Sequence, residues 1–423
     1  MYSIIVLLLV LLFAPSAAFA YLDPGSGAVL VNLLIAGVAA LIFSLKGVFL
    51  RLIGKGDKLA KEDKKERAQV GILSEGKQYH ATFEPLVQAL IDNEISFDYY
   101  TLDIEDKILD IESDYMHPRF LGYGNIGFHR AGSLNVKNLI CTTPNIGSKA
   151  YPIAKSPKVE NLIHVFHSIN DLSMYRKGSL DHYDTVFMVG DFQAQSIREL
   201  EKKRDLKEKT LVSLGIPYLD KYKDETVPKP PNNERKTVLI ASSWGSKGLF
   251  ENYGIDFIKN LSAEGYDIIV RPHPQSYVSE PATILKIENE LKQKISITWD
   301  REISPSASMQ KADLLISDTS SIRFDFAFLY QKPIISLEIP QDAMPGFERD
   351  DMSELWMEGA AKQIGIQVDK TTIGDISLFI NDILQKHDQE KSRAYRDQTI
   401  ANFGKAGEAM AKYIKAEIMG EKQ

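Results

Sequence analysis

The stretch that decides the fold of this chain is residues 312–326, which reads ADLLISDTSSIRFDF. An apolar, β-rich run, Asp313–Ser317, passes into a cluster of small polar residues, and a helical apolar pattern follows at Ser321–Tyr330. A strand–turn–helix junction of this kind leaves the N–H groups of the first helical turn free. Because the helix dipole adds partial positive charge there, the junction predicts a site for a phosphate group.

The polar residues of the junction are the first candidates for binding a phosphorylated donor. We also expect Asp318, Thr319 and the two serines that follow to cap the helix. Each such cap stabilises a helix by about 1 kcal/mol. Asp318 could instead hold a ribose hydroxyl or orient a histidine. The predicted donor-binding residues of the junction are Ser317, Asp318, Thr319, Ser320 and Ser321.

A second strand, Tyr266–Val270, ends in Arg271-Pro272-His273-Pro274. The two prolines restrict the backbone around His273, and a rigid imidazole can donate to a phosphate oxygen or transfer a proton. We therefore predict that His273 is catalytic, with a structural turn histidine as the alternative, and that Arg271 binds phosphate. Lys247, near the start of another predicted helix, is a weaker candidate for the same role.

Short apolar strands and amphipathic helices alternate along the chain, which predicts parallel sheets covered on both faces. The Pro- and Asn-rich stretch 221–236 reads as a linker. We expect an α/β chain with two doubly wound Rossmann-like domains facing a cleft, at residues 67–220 and 237–423. In such sheets ligands bind beyond the carboxyl ends of the strands.

His167 follows a predicted strand of the first domain, Leu162–Phe166. It is placed to reach the cleft from the side opposite His273. We predict that it acts as a general base that takes the proton of an acceptor hydroxyl, with turnover rising through a pKa of about 6.5. A structural role for His167 remains the alternative.

The first 66 residues carry two long apolar runs, Ile4–Ala20 and Ala28–Leu45, followed by a lysine-rich stretch. Runs of this length predict membrane segments, and the positive flank places the rest of the chain in the cytoplasm. The first run could be a cleaved signal peptide, or the two could form a helical hairpin. We expect residues 1–66 to tether the chain to the inner membrane, with the later domains facing the cytoplasm.

Composition excludes several classes of protein. A net charge of −7 over 423 residues argues against nucleic acid as a partner. Cys141 is the single cysteine, so cysteine-rich metal sites and intrachain disulfides are excluded. No metal or cofactor is expected.

The order of motifs resembles the CDP-glycerol:poly(glycerophosphate) glycerophosphotransferases, which are teichoic-acid-type enzymes with a GT-B fold. The resemblance runs from about Asn161 to Leu337, and its segment Ala312–Pro333 is the most specific. The motifs that carry it, besides the junction, are His167, Gly215-Ile216-Pro217, Arg271-Pro272-His273-Pro274, Phe324-Asp325-Phe326 and Lys332-Pro333.

This resemblance implies that the chain transfers glycerol phosphate or a related alditol phosphate from a CDP-linked donor to a lipid-linked or surface-glycan acceptor. The family's two functional histidines fall on His167 and His273. Departures such as Phe166-His167-Ser168, where the family usually has Trp-His-Gly, leave two alternatives open. One is a nucleotide-sugar glycosyltransferase of capsule or exopolysaccharide synthesis, and the other is a non-catalytic membrane adaptor.

Overall fold

A computed structural model describes residues 67–223, 235–245, 248–292, 296–302, 304–339 and 346–420. These residues fall in one compact unit, Asp63–Gln423. The predicted membrane segment 1–66, most of the predicted linker and Lys247 lie outside the described residues. Among the residues that are described, no helix is both long and apolar enough to cross a membrane.

The first half of the described chain is built on a seven-stranded parallel sheet with the order β3-β2-β1-β4-β5-β6-β7. Its elements are β1 (Ala68–Ser74), α1 (His80–Asp92), β2 (Phe97–Thr101), β3 (Met116–Phe120), α2 (Gly124–Ala131), β4 (Val136–Cys141), β5 (Asn161–Val165), β6 (Thr185–Met188), α3 (Ala194–Lys203), β7 (Thr210–Ser213) and α4 (Tyr218–Tyr222).

The second half is built on a six-stranded parallel sheet with the order β10-β9-β8-β11-β12-β13. Its elements are β8 (Thr237–Ala241), α5 (Leu249–Tyr253), α6 (Asp256–Ala263), β9 (Asp267–Arg271), α7 (Ser276–Ser279), α8 (Pro281–Leu291), β10 (Ile297–Trp299), α9 (Ser306–Lys311), β11 (Leu314–Ser317), α10 (Ile322–Tyr330), β12 (Ile334–Leu337), α11 (Trp356–Ile364), β13 (Ile366–Val368), α12 (Ile376–Lys386), α13 (Gln389–Thr399) and α14 (Ala406–Tyr413).

The central strands are largely buried and rich in apolar residues because helices cover both faces of each sheet. Every residue of β8 and of β11 is buried. This is why the apolar runs predicted parallel strands correctly. The α/β class with two parallel sheets is confirmed.

The apolar runs of the sequence predict every strand of the two sheets except β3, β7 and β13, and these three lie at sheet edges. Edge strands are half-exposed, so they lack the continuous apolar run that marks a central strand. β3 also contains Pro118, which only an edge strand tolerates. The sequence pattern predicts a single helix over Lys247–Ala263, but the structure has two helices there, α5 and α6, because Gly254 between them has a φ of +66°.

The end of the chain packs with the first sheet and not, as the boundary 237–423 implied, with the second. Met410 and Ala411 of α14 join the core formed by β1 and α1. The Ala401 N–H donates to the Val189 carbonyl just beyond β6 at 2.9 Å. Since α14 carries an ordinary amphipathic pattern, nothing in its own sequence shows which sheet it covers.

Candidate active site

The second sheet changes direction of winding between β8 and β11, and that point is where ligands bind in doubly wound folds. The predicted junction lies there, since Ser317 ends β11. The Ser317 hydroxyl donates to the Ala241 carbonyl at the end of β8, at 2.6 Å. Ser317 thus joins the two strand ends that flank the crevice.

Asp318 is fully buried and accepts four hydrogen bonds. The Ser243 N–H and hydroxyl donate to it at 2.8 and 2.9 Å, the Leu249 N–H at 3.0 Å and the Ser320 N–H at 3.2 Å. The carboxylate therefore fixes the loop after β8 against the loop after β11. This geometry favours a positioning role over the ribose contact, histidine contact or helix cap expected from the sequence.

The helix caps predicted for this junction are largely not made. Ser321 occupies the N-cap of α10, but its side chain accepts no capping hydrogen bond. The Ser320 hydroxyl accepts only a long contact of 3.5 Å from the Ile322 N–H. The cause is Asp318, which turns toward Ser243 and leaves the helix start without a carboxylate cap.

The uncapped helix start has polar groups free to meet a ligand. Thr319, Ser320 and Ser321 are half-buried. No described residue accepts from the backbone N–H of Thr319 or of Ser321. Free N–H groups at the start of the nine-residue helix α10 are suited to bind a phosphate oxygen.

Arg323, in the first turn of α10, is a candidate that the sequence analysis gave no role. Its side chain is buried and donates to the Ser320 carbonyl at 3.0 Å and to the Ser336 hydroxyl at 3.1 Å. No carboxylate of the described residues lies within 4.0 Å of it, and burial lowers its pKa to about 10. It remains charged at neutral pH, so its charge adds to the attraction for phosphate.

Arg271, predicted to bind phosphate, has a structural partner. Its guanidinium donates to the buried Asp300 carboxylate at 2.6 Å and to the Glu302 carbonyl at 2.8 Å. These contacts tie the end of β9 to the loop after β10. Direct binding of phosphate by Arg271 stays a prediction.

His273 is half-buried directly after β9, as predicted. Its Nδ1 atom accepts the Gln275 N–H at 3.0 Å, so the proton of the neutral ring is on Nε2. Burial, and then the charge of Arg271, lowers the pKa of His273. A neutral ring with an Nε2–H group is suited to donate to a phosphate oxygen.

His167 lies two residues beyond β5 in the first half, and its Nδ1 atom is 2.9 Å from the Thr142 hydroxyl. Burial lowers its pKa to about 4, so the ring is neutral at physiological pH. No described residue bonds its Nε2 atom. In the tautomer whose Nδ1–H group donates to the Thr142 hydroxyl, the lone pair of Nε2 is available to accept a proton.

Two further motifs of the sequence meet between the halves. The Tyr218 hydroxyl, next to Gly215-Ile216-Pro217, donates to the carboxylate of Asp325 in α10. Burial raises the pKa of Asp325 to about 6. Gly215 has a φ of +91°, and a Cβ there would lie 2.2 Å from the Ala401 carbonyl oxygen, so only glycine fits.

The remaining predicted residues are structural or untested. Cys141 is buried with its pKa raised to about 12 by burial, as expected of an inert core thiol. Lys332 donates to carbonyls at the end of α9, including that of Ala312 at 2.6 Å. Among the described residues no group of three His, Cys, Asp or Glu side chains comes together in a form that could hold a metal ion.

Comparison with known proteins yields one family. The model of the family described as CDP-Glycerol:Poly(glycerophosphate) glycerophosphotransferase matches residues 170–348. The matched region contains His273 and the whole junction, whereas His167 lies three residues before it. This match confirms the resemblance drawn from the motifs. No curated protein sequence matches.

Solved structures share the fold. The structure of the wall teichoic acid polymerase TagF is 16% identical with a TM-score of 0.53, and the match covers 91% of this chain and 98% of that one. A UDP-N-acetylglucosamine 2-epimerase from Listeria monocytogenes, described as putative, is 14% identical with a TM-score of 0.56, covering 85% and 98%. At such identities the likeness shows the two-sheet fold alone.

Proposed function

We propose that this chain, a CDP-glycerol glycerophosphotransferase-like transferase, works in the synthesis of a cell-surface polymer. It moves glycerol phosphate or a related alditol phosphate from a CDP-linked donor to a glycan or lipid-linked acceptor. The observation that carries this proposal is the family match over residues 170–348. That segment contains His273 and the junction at Ser317–Ser321, which follow strands of the second sheet.

In this proposal the donor diphosphate lies at the carboxyl edge of the second sheet. The N–H groups at the start of α10 and the Arg323 guanidinium face its oxygens, and the Nε2–H group of His273 donates to them. The acceptor oxygen attacks the phosphorus that bears the alditol. The bond from that phosphorus to the bridging oxygen breaks, and CMP leaves with the electron pair.

His167 supports the same step from the first half. Its Nε2 atom takes the hydroxyl proton of the acceptor as the new P–O bond forms. The protein residues thus supply positioning, charge stabilisation and one proton transfer. A well-placed base that makes such a transfer raises the rate by about 10²- to 10⁴-fold.

Membrane tethering is part of the proposal and rests on the apolar runs within residues 1–66 and the lysines after them. The transferase domains then face the cytoplasm at the inner membrane. A reporter fused after Arg67 of the full-length chain tests this, and it should read as cytoplasmic. A periplasmic or extracellular signal would contradict the location.

The transfer reaction itself is tested with purified full-length protein and a panel of donors. We expect CMP release from CDP-glycerol or CDP-ribitol in the presence of an acceptor, and no release of UDP from UDP-sugars. Turnover of UDP-sugars alone would establish a glycosyltransferase instead. Nucleotide binding without turnover of any donor would establish a non-catalytic adaptor.

A further inference from the structure

We infer that the switch point of the first sheet is an acceptor site, in which the Glu75 carboxylate binds hydroxyl groups of a polyol or glycan. This inference rests on the proposed function and deepens it, because it assigns residues and a ligand chemistry to the acceptor side. None of the sequence motifs includes Glu75.

The topology places Glu75 at a binding position. The first sheet reverses its winding between β1 and β4, and Leu73 of β1 pairs with Cys141 of β4. Glu75 therefore lies just past the end of β1, beside Thr142 and Thr143 at the end of β4. Ligands of doubly wound sheets bind at this reversal, beyond the carboxyl ends of the strands.

The Glu75 carboxylate is half-buried, and no cation in the described part of the chain pairs with it. Its Oε1 atom accepts the hydroxyl of Tyr151. No Lys, Arg or His of the described residues lies within ion-pair distance of it, and no described group donates to Oε2. A carboxylate held this way has acceptor capacity left for hydroxyl groups.

Aromatic rings connect Glu75 to the proposed base. The ring of Tyr79 meets His167 edge-on with centroids 5.3 Å apart, and the ring of Tyr175 stacks beside His167 at 6.3 Å. Burial, and then the Glu75 charge, raises the pKa of Tyr79 to about 12. Tyr79 therefore contacts His167 and is close enough to Glu75 to be affected by its charge, which groups the three residues at the strand ends of the first sheet.

A second observation at the same strand ends also indicates a ligand. Thr143 is 2% exposed, and its hydroxyl has no hydrogen-bond partner among the residues that the structure describes. Its neighbour Thr142 bonds His167. Buried hydroxyls are normally paired, so an unpaired one beside a half-free carboxylate suits a hydroxyl-rich ligand.

The two halves carry different charges at their strand ends, so each half suits a different substrate. The Glu75 carboxylate repels a diphosphate and accepts from hydroxyls, whereas the start of α10 and Arg323 attract phosphate. A polyol or sugar end of the acceptor fits the first site, and the CDP-linked donor fits the second.

The test measures acceptor binding by the full-length protein with two probes, a synthetic glycerol phosphate trimer and a neutral N-acetylated disaccharide. Glu75→Gln should weaken the binding of at least one probe by about 10- to 100-fold, because a hydrogen bond to a charged group is lost. CDP affinity should stay as in wild type. Tyr151→Phe, which removes the hydroxyl that orients Glu75, should weaken the same probe by a smaller factor.

Glu112→Gln is the matched control, since Glu112 is exposed in the connection between β2 and β3. It should bind both probes like wild type. Equal probe affinity in Glu75→Gln and wild type, or no saturable binding of either probe by wild type, would overturn the acceptor site. Failure of wild type to cleave any CDP-linked donor is a separate result, and it would sink the proposed transfer reaction.

Discussion

Two neutral histidines, one from each half, are the residues on which the proposed chemistry depends. Both lie directly beyond parallel strands, which is why the sequence could predict them as candidates. Their protonation could not be predicted, because it depends on burial and, for His167, on Thr142 at the end of another strand.

The environment of His167 changes the expected pH dependence of the reaction. Because burial lowers its pKa to about 4, kcat/KM should rise with pH through about 4 and be flat near 6.5. His167→Ala should reduce turnover by about 10²- to 10⁴-fold while CDP affinity stays unchanged. A midpoint near 6.5 would contradict the burial of His167, and wild-type turnover in His167→Ala would remove the base.

His273 should act in binding as well as in turnover. His273→Ala removes the Nε2–H donor, so we expect CDP affinity to fall by about 10- to 100-fold and turnover to fall further. Isothermal titration with CDP measures the first effect. His129→Ala, an exposed histidine of α2, is the control and should bind CDP normally. Unchanged CDP affinity in His273→Ala would show that the ring does not contact the donor.

At the scale of the element, α10 shows both what a local pattern can predict and what it cannot. The polar cluster before the helix correctly indicated a strand–turn–helix junction at the carboxyl end of a central strand of the sheet. It also predicted capping of α10, which Asp318 does not provide because its oxygens accept from Ser243, in the loop after β8, and from Leu249, the first residue of α5. That competition depends on the pairing of β8 with β11, which no single stretch of sequence contains.

The missing caps lead to a prediction about Ser320 and Ser321. Replacing both by alanine should lower the free energy of unfolding by less than about 1 kcal/mol, because the caps that would contribute about 1 kcal/mol each are largely absent. CDP binding should weaken by several-fold, since two hydroxyls at the phosphate site are lost. Thermal unfolding and titration of the same variant separate the two effects. A fall of about 2 kcal/mol with unchanged affinity would mean that the segment is only structural.

At the scale of the whole molecule, an ion-pair cluster joins the two halves. Arg204, the C-cap residue of α3, pairs with Glu348, which is 1% exposed, and with Asp351 at 3.0 Å. The Ser179 hydroxyl also donates to Glu348 at 2.8 Å. Stacking of Phe192 on Trp356, with centroids 3.8 Å apart, adds an apolar contact.

Removal of Arg204 tests this cluster. Arg204→Ala leaves Glu348 buried without its cation, so we expect unfolding to become easier by about 3 to 5 kcal/mol. Lys203→Ala is the control on the same helix, because Lys203 is half exposed and also contacts Asp351, at 3.2 Å. It should cost about 1 kcal/mol or less. Chemical denaturation of both variants measures the difference, and equal small losses would show that the cluster does not hold the halves together.

The architecture of the whole molecule could be predicted from the sequence only in part. Two parallel sheets follow from the alternation of buried strands and helices. The edge strands could not be predicted because they lack a continuous apolar run, and the partners of Arg323 could not because they depend on how α10 packs against β12. The return of α14 to the first sheet depends on contacts between residues far apart in the chain. The same reason hid Glu75, whose neighbours Tyr151 and Thr143 come from segments more than 60 residues away.

The central claim is that the second sheet binds a CDP-linked donor at its strand ends, and a titration of the full-length protein with CDP, UDP and GDP tests it most directly. We expect saturable binding of CDP, tighter than that of UDP or GDP by about tenfold or more. The affinity for CDP should fall in His273→Ala. Tightest binding of UDP, or no binding of any of the three nucleotides, would contradict the account.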